Sequence, residues 1–350
     1  MKKKTIVSVL IILLFVVMIA DFNIYGSEVF ELFFRRLETD SMHNIDQGFE
    51  FNSNARYKHS KIEKFEIVPA NQTKLEIDNE NGSIDIVGED RDDIDVNAEI
   101  TVYSSTENMA EEYSKKVKII SDKKGESISI HVSRDSWEDR PSDVRGIEVD
   151  YTIKAPRTMF LKIYNQYGEL KVNDFKNGVN LTNKYEKSLI SNIAGEEIII
   201  SARYGNLYLG NVLAGKKSLQ VKTAYNNTEI VDVKRDLDLE SAYANLELSD
   251  IEGKVISDFR YGAAKFENTG SIKLDSQYTD IVLDKINGNI KADLRYGNFA
   301  VNELKNNIEV NAKYTELNVK LAEEMENYNL KCKTEYGNID SSLSLKKEKE

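Results

Sequence analysis

Cysteine is almost missing from this 350-residue chain, which holds only Cys332. A disulfide framework and any cysteine-based metal cluster are thereby excluded. Histidine is nearly as scarce: His43, His59 and His131 are too few for a His-rich metal site. Three prolines occur and none lies beyond Pro156, so nothing later in the chain interrupts a strand ladder. Positive charge is also short. A formal charge of −12 argues against a general nucleic-acid binder. With 41% hydrophobic and 30% charged residues the chain is nonetheless a folding one.

Only one long apolar run exists. Lys2, Lys3 and Lys4 precede Thr5–Ala20, TIVSVLIILLFVVMIA, which carries no charge. A basic start before such a run marks a secretory signal or a signal anchor, with everything after it exported. The run is short of the ~20 residues of a spanning helix. Cleavage after Ala20 is also poorly served, because Met18 stands where a small residue is wanted. Both outcomes stay open for residues 1–25. No cysteine lies near residue 20, which excludes a lipoprotein anchor. Residues 26–60 read as a linker. Within it, Val29–Arg36 (VFELFFRR) is amphipathic and suits either a membrane surface or a juxtamembrane helix.

Self-similarity organises the rest. Tyr167, Tyr185, Tyr204, Tyr225, Tyr243, Tyr261, Tyr278, Tyr296, Tyr314 and Tyr336 recur at steps of 17 to 22 residues, and Gly follows five of them. Before each Tyr, apolar residues alternate with polar ones, as in Ile290, Ala292, Leu294 and Tyr296 against Lys291, Asp293 and Arg295. Period two is a strand signal and places these Tyr on the inward face. After each Tyr, apolar residues recur three, five and eight places on, as in Leu246, Leu248 and Ile251. A turn signal, often containing Gly, then closes the unit. Two short strands in about 18 residues cannot bury an apolar face alone. At ~1.5–3 kcal/mol per buried aliphatic chain, one coil falls below its ordering entropy and a stack exceeds it. The expected fold is all-β: a parallel β-solenoid of about ten or more two-strand coils over residues 161–343, followed by a charged tail at 344–350. No six-residue period is present, so the right-handed β-helix type is expected. A propeller blade needs ~40–50 residues and does not fit the unit.

Residues 61–160 read as N-terminal strands that cap part of the solenoid. Leu75–Ile86 follows the coil pattern with Asn81 in the Tyr position, and Thr106–Lys118 (TENMAEEYSKKVK) has helical spacing with Thr106 as its cap. Such a helix can cover the open first coil. Asp135–Gly146 is a polar loop holding Trp137, and Val149–Pro156 (VDYTIKAP) leads into the regular coils. With these pieces in place, the chain resembles the bacterial adhesin-like family of β-strand-repeat domains of unknown function. The likeness spans roughly residues 65–343. It implies a solenoid fold and an exported, envelope-associated setting. This chain departs by using Tyr at the corner, where Asn or Asp is usual.

The residues point to binding rather than to catalysis. No catalytic, cofactor-binding or metal-binding residues are assigned. The Tyr column reads as a buried or half-buried corner ladder, with an aromatic ridge for sugar rings as the functional alternative. Lys184, Arg203, Arg260, Arg295 and Lys313 immediately precede a Tyr, and alternation turns them outward into a candidate binding stripe for anionic wall polymers or acidic headgroups. The bland alternative pairs them with Asp238, Glu240, Asp258, Asp275 and Asp293. Trp137 is a candidate loop contact, and Cys332 reads as an inward-facing thiol. The expected function is a non-enzymatic, envelope-associated binding or scaffold module. Its partners would be an envelope polymer or a membrane protein, with membrane contact through the N-terminal segment and no nucleic acid. Two alternatives are an envelope-stress or signalling accessory acting through residues 106–118 or 134–146, and a polysaccharide-active β-helix enzyme.

Overall fold

The structure is a computed structural model that describes residues 56–133, 141–321 and 329–341. The signal or anchor segment, Trp137 and the charged tail lie outside the described residues.

Two walls of stacked strands enclose a single core. At the start of the regular part, β8 (Phe160–Tyr167) belongs to the first wall and β9 (Leu170–Asn173) to the second. Three coils follow the same plan: β10 (Val179–Lys184) with β11 (Ser188–Ile193), β12 (Ile198–Arg203) with β13 (Leu207–Val212), and β14 (Leu219–Ala224) with β15 (Asn227–Val233). From Leu237 both arms of a coil form one ladder that passes through the Tyr bend, in β16 (Leu237–Ile251), β17 (Val255–Thr269), β18 (Ile272–Asp284), β19 (Ile290–Leu304) and β20 (Ile308–Leu321). The last coil divides again into β21 (Leu330–Glu335) and β22 (Ile339–Ser341). Each arm pairs in parallel with its counterpart one coil away.

In-register stacking turns the period-two pattern into columns. Leu181, Ile200, Val221 and Leu239 follow one another in the first wall, all buried. Large and small residues alternate where the interior narrows: the fully buried Phe259 lies between Ser241 and Ser276. Cys332 belongs to the last coil and is only half-buried, though burial still pushes its thiol pKa up.

At the N-terminal end the repeat gives way to antiparallel pairing. The first wall continues through β2 (Lys74–Asn81) and β6 (Ser127–Val132), with β5 (Ile119–Lys124) antiparallel at its edge. The second continues through β3 (Ile84–Glu89) and β7 (Val144–Pro156) to β4 (Ile94–Ser104) and β1 (Tyr57–Ile67), both antiparallel. Strand β1 begins at Tyr57, so the end of the span expected to be linker is part of the sheet. Helix α1 covers Glu107–Ser114, shorter than the expected Thr106–Lys118, and the Thr106 hydroxyl accepts from the Met109 N–H at 3.4 Å. Its Ala110 and Tyr113 are buried, as is Val117 beyond it. Among the described residues no helix is long and apolar enough to cross a membrane.

The longest step within the unbroken coils, Tyr204 to Tyr225, leaves room in the connection 213–218. Arg235 of the next coil fills that room, at 4% exposure. Its Nε donates to the Leu213 carbonyl at 2.8 Å and its Nη1 to the Gly195 carbonyl at 2.9 Å, so one side chain ties two preceding coils. Desolvation lowers the guanidinium pKa from its ordinary value. Gly215 makes the space, since a Cβ there would stand 2.2 Å from Nη2. Arg235→Met keeps the volume but strands both carbonyls. We expect a loss of roughly 2–4 kcal/mol in urea denaturation, and an unchanged midpoint would show that the ties do not matter.

Candidate functional site

Each coil bends sharply at its Tyr. Nine of the ten, Tyr185 through Tyr336, have φ between 53° and 70°. A left-handed residue costs ~1–2 kcal/mol when it is not Gly, Asn or Asp. This bend corrects the expectation of an inward ring. Alternation breaks at a left-handed residue, and the side chain rotates out of the core. Tyr185 through Tyr314 are 38–51% exposed, while Ile290, Ala292 and Leu294 before Tyr296 are buried.

The rings then stack on each other. Nine successive contacts join Tyr167 to Tyr336, with ring centroids 4.7–5.1 Å apart and planes within 15°. That spacing is the strand spacing of the walls. Each contact contributes ~0.5–1.5 kcal/mol, which roughly offsets the strain of its bend. Stacking also decides what the ridge presents. Interior ring faces are taken by their neighbours, so ring edges and hydroxyls meet solvent. A ridge of open faces for sugars is therefore not what the coils build.

A second left-handed bend lies seven residues after each Tyr from Tyr167 to Tyr296, and the sequence reading missed it. It falls at Asp174, Asn192, Asn211, Asp232, Asp250, Asn268, Lys285 and Glu303, with φ from 48° to 63°. Six of these are Asn or Asp, the residues that adopt this conformation at least cost. Their constant distance from the Tyr was the available signal. At this corner Asn268 Nδ2 donates to Asp250 Oδ1 at 2.6 Å in the preceding coil.

Two columns flank the ridge. On one side, two residues after the Tyr, stand Asn206, Asn227, Asn245, Asp280 and Asn298. Here Asn245 Nδ2 donates to Asn227 Oδ1 at 3.0 Å and Asn298 Nδ2 to Asp280 Oδ1 at 2.8 Å. On the other side the structure places Lys184, Arg203, Arg260, Arg295 and Lys313 in one register, interrupted by Ala224, Ala242 and Gln277. Three of the five cations are engaged. Lys184 donates to the Tyr164 hydroxyl at 3.1 Å. Arg260 grips Asp258 of its own strand at 3.0 and 3.2 Å. Lys313 lies 3.4 Å from Glu335 and 5.6 Å from the Tyr314 ring centroid. Arg203 and Arg295 have no ion-pair partner among the described residues. Of the acids expected to pair with the stripe, only Asp258 does so; Glu240 pairs with Lys222 and Asp238 accepts from Ser218.

The Toastrack DUF4097 family model matches residues 72–350, most of the chain. The protein belongs to that family. Similar solved structures include an adhesin candidate from Parabacteroides merdae ATCC 43184, at 12% identity and TM-score 0.33, covering 81% of this chain and 97% of its own. Another, from Bacteroides fragilis NCTC 9343, has 11% identity and TM-score 0.24, covering 80% and 97%. A cell-adhesion candidate from Clostridium sporogenes ATCC 15579 has 11% identity and TM-score 0.20, covering 72% and 100%. No curated protein matches this Toastrack chain.

Strain at the ridge makes a sharp test. Tyr243→Asn loses two ring contacts but relieves the bend, and we expect it to fall within ~1.5 kcal/mol of the parent. Tyr243→Val loses the same contacts and places a β-branched residue at φ 54°, so it should be clearly less stable than Tyr243→Asn. Equal urea midpoints for the two variants would remove the argument from backbone strain.

Proposed function

We propose that this Toastrack protein is an exported, envelope-associated, non-enzymatic binding module of the adhesin-like kind, and that the tyrosine ridge is its contact face. The observation that carries this reading is the choice of residue at the two bends. One corner uses Asn or Asp, which bend cheaply, at six of its eight left-handed positions. The other uses Tyr nine times at a left-handed φ and leaves Tyr185 through Tyr314 about half exposed. Folding alone does not ask for that residue, and stored strain with exposed aromatic surface is a signature of function.

The composition of the face supports the same reading. Tyr, Asn and Arg are what binding surfaces use, because Tyr offers large contact area at little entropy cost. Here the rings are already immobilised by stacking, which lowers the cost further. Catalysis converges on one point, whereas this surface repeats the same groups along a line, which suits a partner lying along the rod. Export rests on the basic start and apolar run at residues 2–20. Since, of the five stripe cations, only Arg203 and Arg295 have neither an ion-pair nor a hydrogen-bond partner among the described residues, attraction to polyanions is a minor part.

Envelope fragments bound to the immobilised full chain provide the test. The fourfold variant Tyr225→Asn, Tyr243→Asn, Tyr261→Asn and Tyr278→Asn should fold and lose about tenfold or more in binding. Arg203→Ala with Arg295→Ala should change it only modestly and only at low salt. If the fourfold variant binds as well as the parent, the ridge is not the contact face.

A further inference from the structure

A cavity of about 600 Å³ lies at the N-terminal end of the first wall. Small-ligand sites typically measure ~300–1,000 Å³. Residues of β5, β6, β2, β8 and β10 line it, and Ile147 and Val149 of β7 in the second wall complete it. Two rows cross these strands in register, one residue per strand and ~4.8 Å apart. One row is Ser129, Glu76, Lys162 and Asn180; the other is His131, Asp78, Tyr164 and Thr182.

The first row is a framework. Glu76 accepts from the Ser127 hydroxyl at 2.8 Å and from Lys162 at 3.2 Å. The second row is not satisfied internally. Asp78, His131 and Thr182 have no side-chain hydrogen bond among the described residues. Tyr164, by contrast, is held in place. Its hydroxyl donates to Gln166 Oε1 at 3.1 Å and accepts from Lys184 at 3.1 Å, and the Lys184 ammonium lies 5.1 Å from the ring centroid. Lys184, a member of the expected binding stripe, is thus a positioning residue for this ring. The repeat does not require an aromatic here: the same column holds Thr182, Ser201 and Lys222 in the next coils. Unlike the ladder rings, Tyr164 stacks on no other ring among the described residues.

We infer that this cavity is a saccharide site, taking a short neutral or amino-pyranose oligomer. The fixed, half-exposed Tyr164 offers apolar surface to the C–H face of a sugar. The Asp78 carboxylate, His131, Thr182 and the Asn180 amide supply donors and acceptors for its hydroxyls. Charge selects the class of sugar. Lys162 in the lining is paired with Glu76, and among the described residues Asp78, Glu80 and Asp122 line the cavity without an ion-pair partner against Lys124, so an anionic sugar is disfavoured. This site is separate from the ridge and does not depend on the reading proposed for it.

Saturation-transfer NMR and calorimetry on the full chain test the assignment with four probes: the trimers of glucose, N-acetylglucosamine and glucosamine, and trigalacturonate as the anionic control. At least one neutral or amino trimer should bind, and trigalacturonate should bind at least about tenfold more weakly. Tyr164→Ala should weaken the binding trimer about tenfold. Tyr164→Phe, which keeps the ring and loses only its tether, should retain most of the affinity; it guards against a folding artefact. The fourfold ridge variant should bind the trimer as the parent does. No transfer from any of the neutral or amino trimers, equal binding of trigalacturonate, or full affinity in Tyr164→Ala would each overturn the site.

Discussion

Everything in this molecule depends on parallel coils lying in register, so that each residue stacks on its counterpart one turn away. The constraint acts at the bends. A coil closes only if its chain turns at fixed places, and two left-handed residues seven positions apart provide the turns. Once Tyr243 bends as Tyr225 and Tyr261 bend, the arms on either side are forced into the same heights. Columns such as Leu181, Ile200, Val221 and Leu239 then follow without further specification. Ring stacking and strand pairing share one spacing, so the aromatic ladder and the hydrogen-bond ladder reinforce each other.

The same constraint limits what the surface can be. Outward positions are also repeated in columns, which makes extended faces natural and enclosed clefts rare. The tyrosine ridge is the purest product of this rule. The cavity around Tyr164 arises where the rule lapses: at the N-terminal end of the first wall β5 pairs antiparallel, and the outward face carries residues that differ from strand to strand. Lys184 and Arg235 show how single long side chains adapt to such irregularities, one by holding a ring, the other by capping carbonyls in an enlarged turn.

Much of the architecture was legible from the chain alone. Spacing of the ten tyrosines identified the unit, and alternation identified the arms, because both depend on local geometry that repeats. The reading went astray where local geometry departs from the strand rule. Tyr296 was extrapolated inward from Ile290, Ala292 and Leu294, because a left-handed residue is invisible to a period-two count. The Asn and Asp corner was overlooked for the same reason, and because polar residues near Gly look like any turn. The pairing of the basic residues was also beyond reach: Arg260 turns to Asp258 on its own strand, a rotamer choice that sequence does not express.

The amino-acid sequence by itself determined the repeat, the two-walled core and the column to which each residue belongs, since hydrophobic alternation and coil length are local properties that stacking merely copies. Only the tertiary structure decided which way the rings point, which cations remain free and where a cavity opens. Those outcomes depend on backbone dihedrals at the bends and on side chains competing across coils, and both are settled when neighbouring turns come within a strand spacing of each other.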